Sequence, residues 1–243
     1  MLKLGVNIDH IATLRQARME VFPDPLCAAL ICEESGADSI VCHLRQDRRH
    51  IQDEDLVKLR KRIKTRLNLE MSTLDEIVQI ALKIKPDQAT LVPEKRQELT
   101  TEGGLDIVKH KNRISAVVSD LNQRDIATSL FIDPRKNQIR AAKETGAEYI
   151  ELHTGAYANA KSAKSKSREF ARIKDTAMYA HSIGLRVNAG HGLGYKNVTQ
   201  IAEIPVVEEL NIGFSIVAES VFLGIGDAVR RMKHLIKNSR KNK

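Results

Sequence analysis

The chain has 243 residues, with 39 Lys and Arg against 31 Asp and Glu for a net charge of +8; 42% of residues are hydrophobic, only 4% aromatic, and Trp is absent. That length suits one large domain with a core of Ile, Leu, Val and Ala, and the lack of aromatics speaks against a surface that stacks nucleic-acid bases. Cys27, Cys32 and Cys42 are odd in number without C-x-x-C spacing, Asp9 interrupts the start too early for a signal-peptide apolar segment, and no uncharged run approaches a membrane span of roughly 18 residues, so neither a disulfide framework nor a zinc knuckle is expected, and the expected setting is a reducing cytoplasm with no membrane partner.

Eight short β-rich runs alternate with longer helix-compatible stretches. L-G-V-N-I (4–8) leads into Asp9, His10 and T-L-R-Q-A-R (13–18). P-D-P-L-C-A-A-L-I-C-E-E-S-G (23–36) has Pro and Asp at its start and Gly36 at its end, the usual helix start and stop signals. S-I-V-C-H (39–43) precedes the arginine-rich L-R-Q-D-R-R-H (44–50), and L-N-L-E-M (67–71) ends near Glu70. A-T-L-V (89–92) is followed by a long loop (93–106) containing Thr100, Gly103 and Gly104, expected as a lid over a site. T-S-L-F-I-D (128–133) and Y-I-E-L-H (149–153) follow, with G-A-D-S-I repeated as G-A-E-Y-I before the latter. The basic stretch 161–168 and the tail from Arg230 to Lys243 read as solvated helix faces. L-R-V-N-A (185–189) runs into A-G-H-G-L-G (189–194), and E-L-N-I-G (209–213) into an apolar stretch that can begin a short helix at Gly213.

Strand and helix alternation implies parallel pairing through right-handed crossovers, and eight strands permit closure, so the expected fold is α/β, a (β/α)8 barrel over residues 1–243 in one domain with a basic C-terminal helix or tail. An open doubly wound sheet is the structural competitor. A closed barrel of this kind favours aliphatic residues inside and gathers strand ends at one rim, where its enzymes keep their active sites. At that rim Asn7 and Asp9 project together, as do Glu151 and His153, joined by His10, His43, Glu70 and His191.

A carboxylate and histidine set suits repeated proton transfer, because burial raises a Glu while His titrates near neutrality. The same groups can hold a divalent metal, so a metal-assisted sugar-phosphate epimerase or aldolase is the second enzyme reading; with no H-x-H, H-x-x-x-H or Asp-rich cluster, the metal-free one is preferred. Glycines after the last three runs, and the arginines after the first two, match the backbone amides and planar forks that bind phosphate. A basic RNA-binding or scaffold protein is the non-enzymatic alternative, and it leaves the strand-end acids unexplained.

G-V-N-I-D-H-I-A-T-L-R, H-L-R-Q-D-R-R-H-I, N-L-E-M, L-V-P-E-K-R-Q-E-L-T-T-E-G-G-L-D, E-L-H-T-G and V-N-A-G-H-G-L together resemble the pyridoxine 5′-phosphate synthase family of the deoxyxylulose-dependent vitamin B6 route, nearly end to end. The resemblance implies a barrel that condenses two small phosphorylated substrates, 3-amino-2-oxopropyl phosphate and 1-deoxy-D-xylulose 5-phosphate, to pyridoxine 5′-phosphate, phosphate and water. It implies a cytoplasmic homo-octamer built from dimers, with no metal or organic cofactor. By position it implies proton acceptors at His43 and Glu70 and a proton donor at His191. Asn7, Arg18, Gly192, Gly213 and Phe214 fall at its aminoketone phosphate site, and Asp9, His10, Arg45, His50 and Thr100 at its deoxyxylulose phosphate site. Glu151 and His153 stand as secondary candidates on their strand-end position alone. Phe214 departs from the family's usual His, so a phosphate contact there falls to the backbone amide.

Overall fold

The computed structural model describes residues 1–94 and 103–240. The strands are β1 (Lys3–Asn7), β2 (Ser39–Leu44), β3 (Arg66–Met71), β4 (Gln88–Leu91), β5 (Ala127–Ile132), β6 (Tyr149–His153), β7 (Arg186–Gly190) and β8 (Val207–Ile212). The helices are α1 (Asp9–Arg18), α2 (Pro25–Glu34), α3 (Asp53–Arg62), α4 (Asp75–Ile84), α5 (Ile107–Asn122), α6 (Lys136–Glu144), α7 (Gly155–Ala158), α8 (Ala163–Ser182), α9 (Val198–Ala202), α10 (Phe214–Leu223) and α11 (Ile225–Ser239). Each strand pairs in parallel with the next, and β8 closes on β1 through Lys3 opposite Glu209 and Val6 opposite Ile212. The barrel is therefore closed and the open-sheet alternative fails. Every expected strand lies within two residues of an observed one.

Local chemistry sets the element ends. Asp24 caps α2 by accepting the Leu26 N–H at 2.9 Å, and Pro25 opens the helix where no amide is needed. Gly36 and Gly146, at φ +99° and +85°, make the left-handed turn from a helix into β2 and β6 that a side chain would resist.

The expectation of an aliphatic barrel interior is overturned. In each strand one parity faces the helices: Leu4 and Val6, Ile40 and Cys42, Leu67 and Leu69, Leu130 and Ile132, Ile150 and Leu152 are all fully buried there and form the apolar core. The other parity fills the barrel with polar groups, among them Ser39, Asn68, Thr90, Ser129, Asn188 and Asn211, each at most 5% exposed. Part of this set is joined by hydrogen bonds: Thr90 Oγ1 donates to Asn68 Oδ1 at 2.8 Å, and Asn211 Nδ2 to Glu151 Oε2 at 2.6 Å, whereas Ser129 Oγ and both side-chain polar atoms of Asn188 are buried without a partner among the described residues. At the lower end Ser39 Oγ donates to Glu209 Oε1 at 3.0 Å, and Arg66 reaches Glu209 Oε2 at 3.1 Å and Gln88 Oε1 at 3.2 Å. The hydrophobic share needed for folding is thus met outside the sheet.

The basic tail is only partly a solvated face. Helix α11 buries Ala228, Val229, Met232 and Ile236, Lys233 pairs with Asp38, and Arg240 donates to the carbonyls of Ala202, Ile204 and Val207 at 2.6–2.8 Å, which ties the chain end to the bottom of α9 and β8. The 161–168 stretch opens α8 behind its Ser162 cap. Among the described residues no helix is long and apolar enough to cross a membrane.

Candidate active site

The end of β1 starts the site. Asn7, the last residue of the strand, accepts the Asp9 N–H on Oδ1 at 2.9 Å, and its Nδ2 donates to Asp9 Oδ2 at 2.9 Å and to Glu70 Oε2 at 3.4 Å. Asp9 Oδ1 accepts the backbone N–H of His43 at 2.8 Å. One short polar chain therefore stitches the ends of β1, β2 and β3, and it places Asp9, His43 and Glu70 so that one ligand atom from each lies within 4.8 Å of the others. His43 Nε2 sits 2.9 Å from Glu94 Oε1, just past β4, while Glu94 Oε2 accepts the Gln46 N–H at 3.1 Å. Burial alone would push Glu94 up, but the His43 contact, Gln46 and Arg45 bring it below the usual range, so it is an ionised acceptor. Nε2 of His43 then carries the proton, leaving Nδ1 as the basic nitrogen.

Glu70 lies opposite Thr90 of β4 and His43 of β2. Burial, then the nearby charges of Glu151 and Asp9, push its carboxyl well above the normal range. Glu151, 2% exposed inside the barrel, is raised to about 7 by burial and by Glu209, against the hydrogen bond from Asn211. Among the described residues neither carboxyl forms an ion pair with a Lys or Arg. Such a pair can hold and exchange protons near neutral pH.

The far wall comes from β5, β6 and β7. His153 and His191 meet edge to face with ring centroids 4.9 Å apart, and Phe131 packs against both at 5.1 and 6.3 Å. His153 Nδ1 lies 3.1 Å from Asp133 Oδ1. His191 takes φ +76°, a conformation rare outside glycine and found where a site dictates the backbone; Thr154 holds it there by donating to the carbonyls of Gly190 and His191 at 2.7 and 2.6 Å. Burial and His153 depress the His191 ring to about 4.

Anion-binding groups flank these walls. Gly213 precedes α10, so the amides of Phe214 and Ser215 start a helix without intrahelical acceptors. A side chain at Gly213 would crowd Asn7 at 3.0 Å, which puts this helix start beside the β1 end. Phe214 does not fill the site: it is 70% exposed and meets His10 edge to face at 5.3 Å. Gly192, at φ +76°, continues the turn begun at His191. Arg45 is buried with Asp47 at 3.6 Å. His50 accepts the Ile51 N–H on Nδ1 at 2.9 Å, packs 6.0 Å from His43, and is lowered by burial. A cavity of about 560 Å³ lined by Arg45, Ser72, Glu94, Gly104 and Leu105 adjoins them.

Two residues of the expected set are not gathered here. Arg18 ends α1, nine residues and about 13 Å of helix from Asp9, and is exposed. Thr100, with most of the expected lid loop, lies outside the described residues. Two partners were missed in the sequence: Glu94, directly after the fourth run, and Asp133, the final residue of the fifth. Asp133 shares the strand-end signal that singled out the other acids.

The sequence matches the family model described as pyridoxal phosphate biosynthesis protein PdxJ over residues 4–238. Pyridoxine 5′-phosphate synthase of Geotalea uraniireducens is 55% identical over 237 residues, covering 98% of this chain and 99% of that one. That of Coxiella burnetii is 55% identical over 236 residues, covering 97% and 98%. At the level of fold alone, KGPDC from Streptococcus mutans superposes with TM-score 0.66 at 14% identity, covering 98% of both chains. Phosphoribosylanthranilate isomerase of Thermotoga maritima gives 0.61 at 13% identity, covering both chains fully. The chain belongs to the PdxJ family of pyridoxal phosphate biosynthesis proteins.

Proposed function

We propose that this chain is a pyridoxine 5′-phosphate synthase that joins 3-amino-2-oxopropyl phosphate to 1-deoxy-D-xylulose 5-phosphate by acid–base catalysis, releasing phosphate and water. Family membership supports the activity. The observation that carries the mechanism is that Glu70, His43 and His191 stand at the carboxyl ends of strands of one closed barrel, with Glu70 and Glu151 unneutralised by any cation among the described residues. The substrate amine attacks the ketose carbonyl itself, so no Schiff-base lysine is required. What remains is proton traffic: imine formation, dehydration, phosphate loss and ring closure each give up or take a proton. Glu70, raised by burial and its acid neighbours, and Nδ1 of His43 serve as acceptors. His191 serves as donor, and a dianionic phosphate drawn to the Gly192 and Gly213 turns lifts its depressed ring back toward protonation.

In this reading Asn7, Gly192, Gly213 and the amide of Phe214 bind the aminoketone phosphate, and Arg18, exposed at the far end of α1, does not reach it within its own chain. Asp9, His10, Arg45, His50 and Thr100 bind the ketose phosphate. A cytoplasmic homo-octamer built from dimers is supported by family resemblance, and self-association also by the exposed apolar side chains Met19, Val21, Phe22, Val221 and Phe222, which a lone chain leaves in water. Incubation of the purified protein with both phosphates tests the activity: pyridoxine 5′-phosphate and inorganic phosphate are the expected products, and their absence refutes it.

One observation favours a metal-assisted variant, the closeness of ligand atoms from Asp9, His43 and Glu70. Against it, both Asp9 oxygens already accept hydrogen bonds and His43 Nε2 is engaged by Glu94. Loss of turnover on chelation, restored by a divalent ion, would favour that variant.

A further inference from the structure

We propose that Asp133 and His153 form a positioning pair behind His191, with the Asp133 carboxylate holding the Nδ1–H of His153 so that its basic Nε2 edge turns toward the His191 ring. The inference rests on the reading of His191 as a proton donor and gives His153 a role that its strand-end position alone does not.

Asp133 is itself fixed from two sides: its Oδ1 accepts the Gly104 N–H at 3.2 Å and faces His153 Nδ1 at 3.1 Å. The His153 contact, opposed by burial and helped by Gly104 and Arg135, holds its carboxyl below the usual range, so it is ionised and can only accept. Nδ1 of His153 must therefore carry a hydrogen. The other nitrogen, Nε2, is buried without a partner, a costly arrangement that calls for an explanation. Gly155 shows where it points: a side chain there would lie 2.5 Å from His153 Nε2 and 3.2 Å from His191 Cδ2, so that bare backbone, the lone-pair edge of one ring and the flank of the other share one small space.

His191 depends on this support. Among the described residues its ring nitrogens have no hydrogen-bond partner, so the ring is placed by its backbone and by contact with His153 and Phe131. Among the described residues, the titratable and charged groups facing the two rings are each other, Asp133 at the end of β5 with Arg135 beside it, and Glu151, two residues before His153 on the same face of β6 and against Gly190. Two imidazolium rings 4.9 Å apart oppose one another. Burial and the neighbouring His153 ring keep His191 neutral until an anionic substrate faces it. The pair thus keeps the donor unloaded until there is something to protonate.

The test measures turnover, substrate Kd and pH profiles for the whole native assembly of Asp133→Asn, His153→Gln, His191→Asn and the double variant Asp133→Asn/His191→Asn. An Asn at 133 can offer its amide to Nδ1 and shift the His153 hydrogen to Nε2, against Gly155 and His191. Asp133→Asn and His153→Gln are expected to lower kcat about tenfold to a hundredfold with each substrate Kd within about threefold. In His153→Gln the limb of the kcat/KM profile belonging to His191 moves up by about half a unit or more, since the opposing ring is gone. The double variant is expected to be no slower than His191→Asn. Full turnover in Asp133→Asn, or an Asp133→Asn cost that persists undiminished on the His191→Asn background, overturns the pair. Should His153→Gln fail to assemble, Asp133→Asn, whose side chain is 34% exposed, decides alone. Wild-type turnover in His191→Asn would instead sink the donor assignment, a result separable from either outcome above.

Discussion

The two ends of the barrel interior give the same buried side chain different partners. At the lower end a buried glutamate, Glu209, meets Arg66, Ser39 and, through Arg66, Gln88; burial raises it on balance, and the Arg66 charge and the Ser39 hydroxyl limit that rise. At the upper rim Glu70 and Glu151 lie near one another and near Asp9, with amides rather than cations as partners. A neutralised carboxylate is a fixed structural element. An unneutralised one is a proton store, held at the expense of stability. The lesson is that identical side chains on alternate levels of one sheet are assigned to stability or to reactivity by whether an arginine reaches them.

The largest effect that would sharpen this contrast is expected at the rim. Glu70→Gln keeps the shape and the contact with Asn7 but removes the acceptor, and should lower kcat by about 10²–10⁴ while the thermal midpoint holds or rises. At the lower end, Arg66→Met strands Glu209 as an uncompensated buried charge. Because Arg66 is partly exposed, a loss of about 2 kcal/mol at pH 8 is expected in chemical denaturation, with kcat within about twofold of the parent.

Glu151 gives a comparison with a sign that depends on pH. Its folded pKa of about 7 exceeds that of an unfolded Glu, so the native state binds the proton more tightly; that contribution is complete below about pH 4 and lost as pH rises through 7. Glu151→Gln should therefore raise the melting temperature at pH 8, at fixed protein concentration, and give no gain at pH 4. A gain at pH 4 that disappears at pH 8 would contradict the assignment. For His191, the pKa seen in the kcat profile should exceed that in kcat/KM by about one unit, because bound phosphate favours the imidazolium. The smallest effect is expected at Phe214, whose largely exposed ring only leans on His10: Phe214→His should change KM for either substrate by no more than about threefold.

Much of this was legible before any coordinates. Four of the eight apolar runs end in or beside an ionisable residue because a barrel strand buries its length and opens its carboxyl end, which is why the rim positions of His43, Glu70, His153 and His191 could be read from the sequence. The polar interior was also written in the sequence, as the alternation of L-N-L-E and R-V-N-A, but the same letters fit a strand with one solvated face; only closure turns that face inward. Glu94 and Asp133 escaped because their roles depend on which strand end lies opposite, His43 across 51 residues and His153 across 20, and spacing carries no such information. Arg18 was legible as a phosphate-type arginine, but its helix carries it away from the rim of its own chain.

The most direct test is turnover of Glu70→Gln and Arg66→Met measured side by side on both phosphates, with the folded fraction of each known. The account predicts a nearly inactive, stable protein in the first case and an active, weakened one in the second. Equal turnover in the two, or an active Glu70→Gln beside an inactive but folded Arg66→Met, would contradict it.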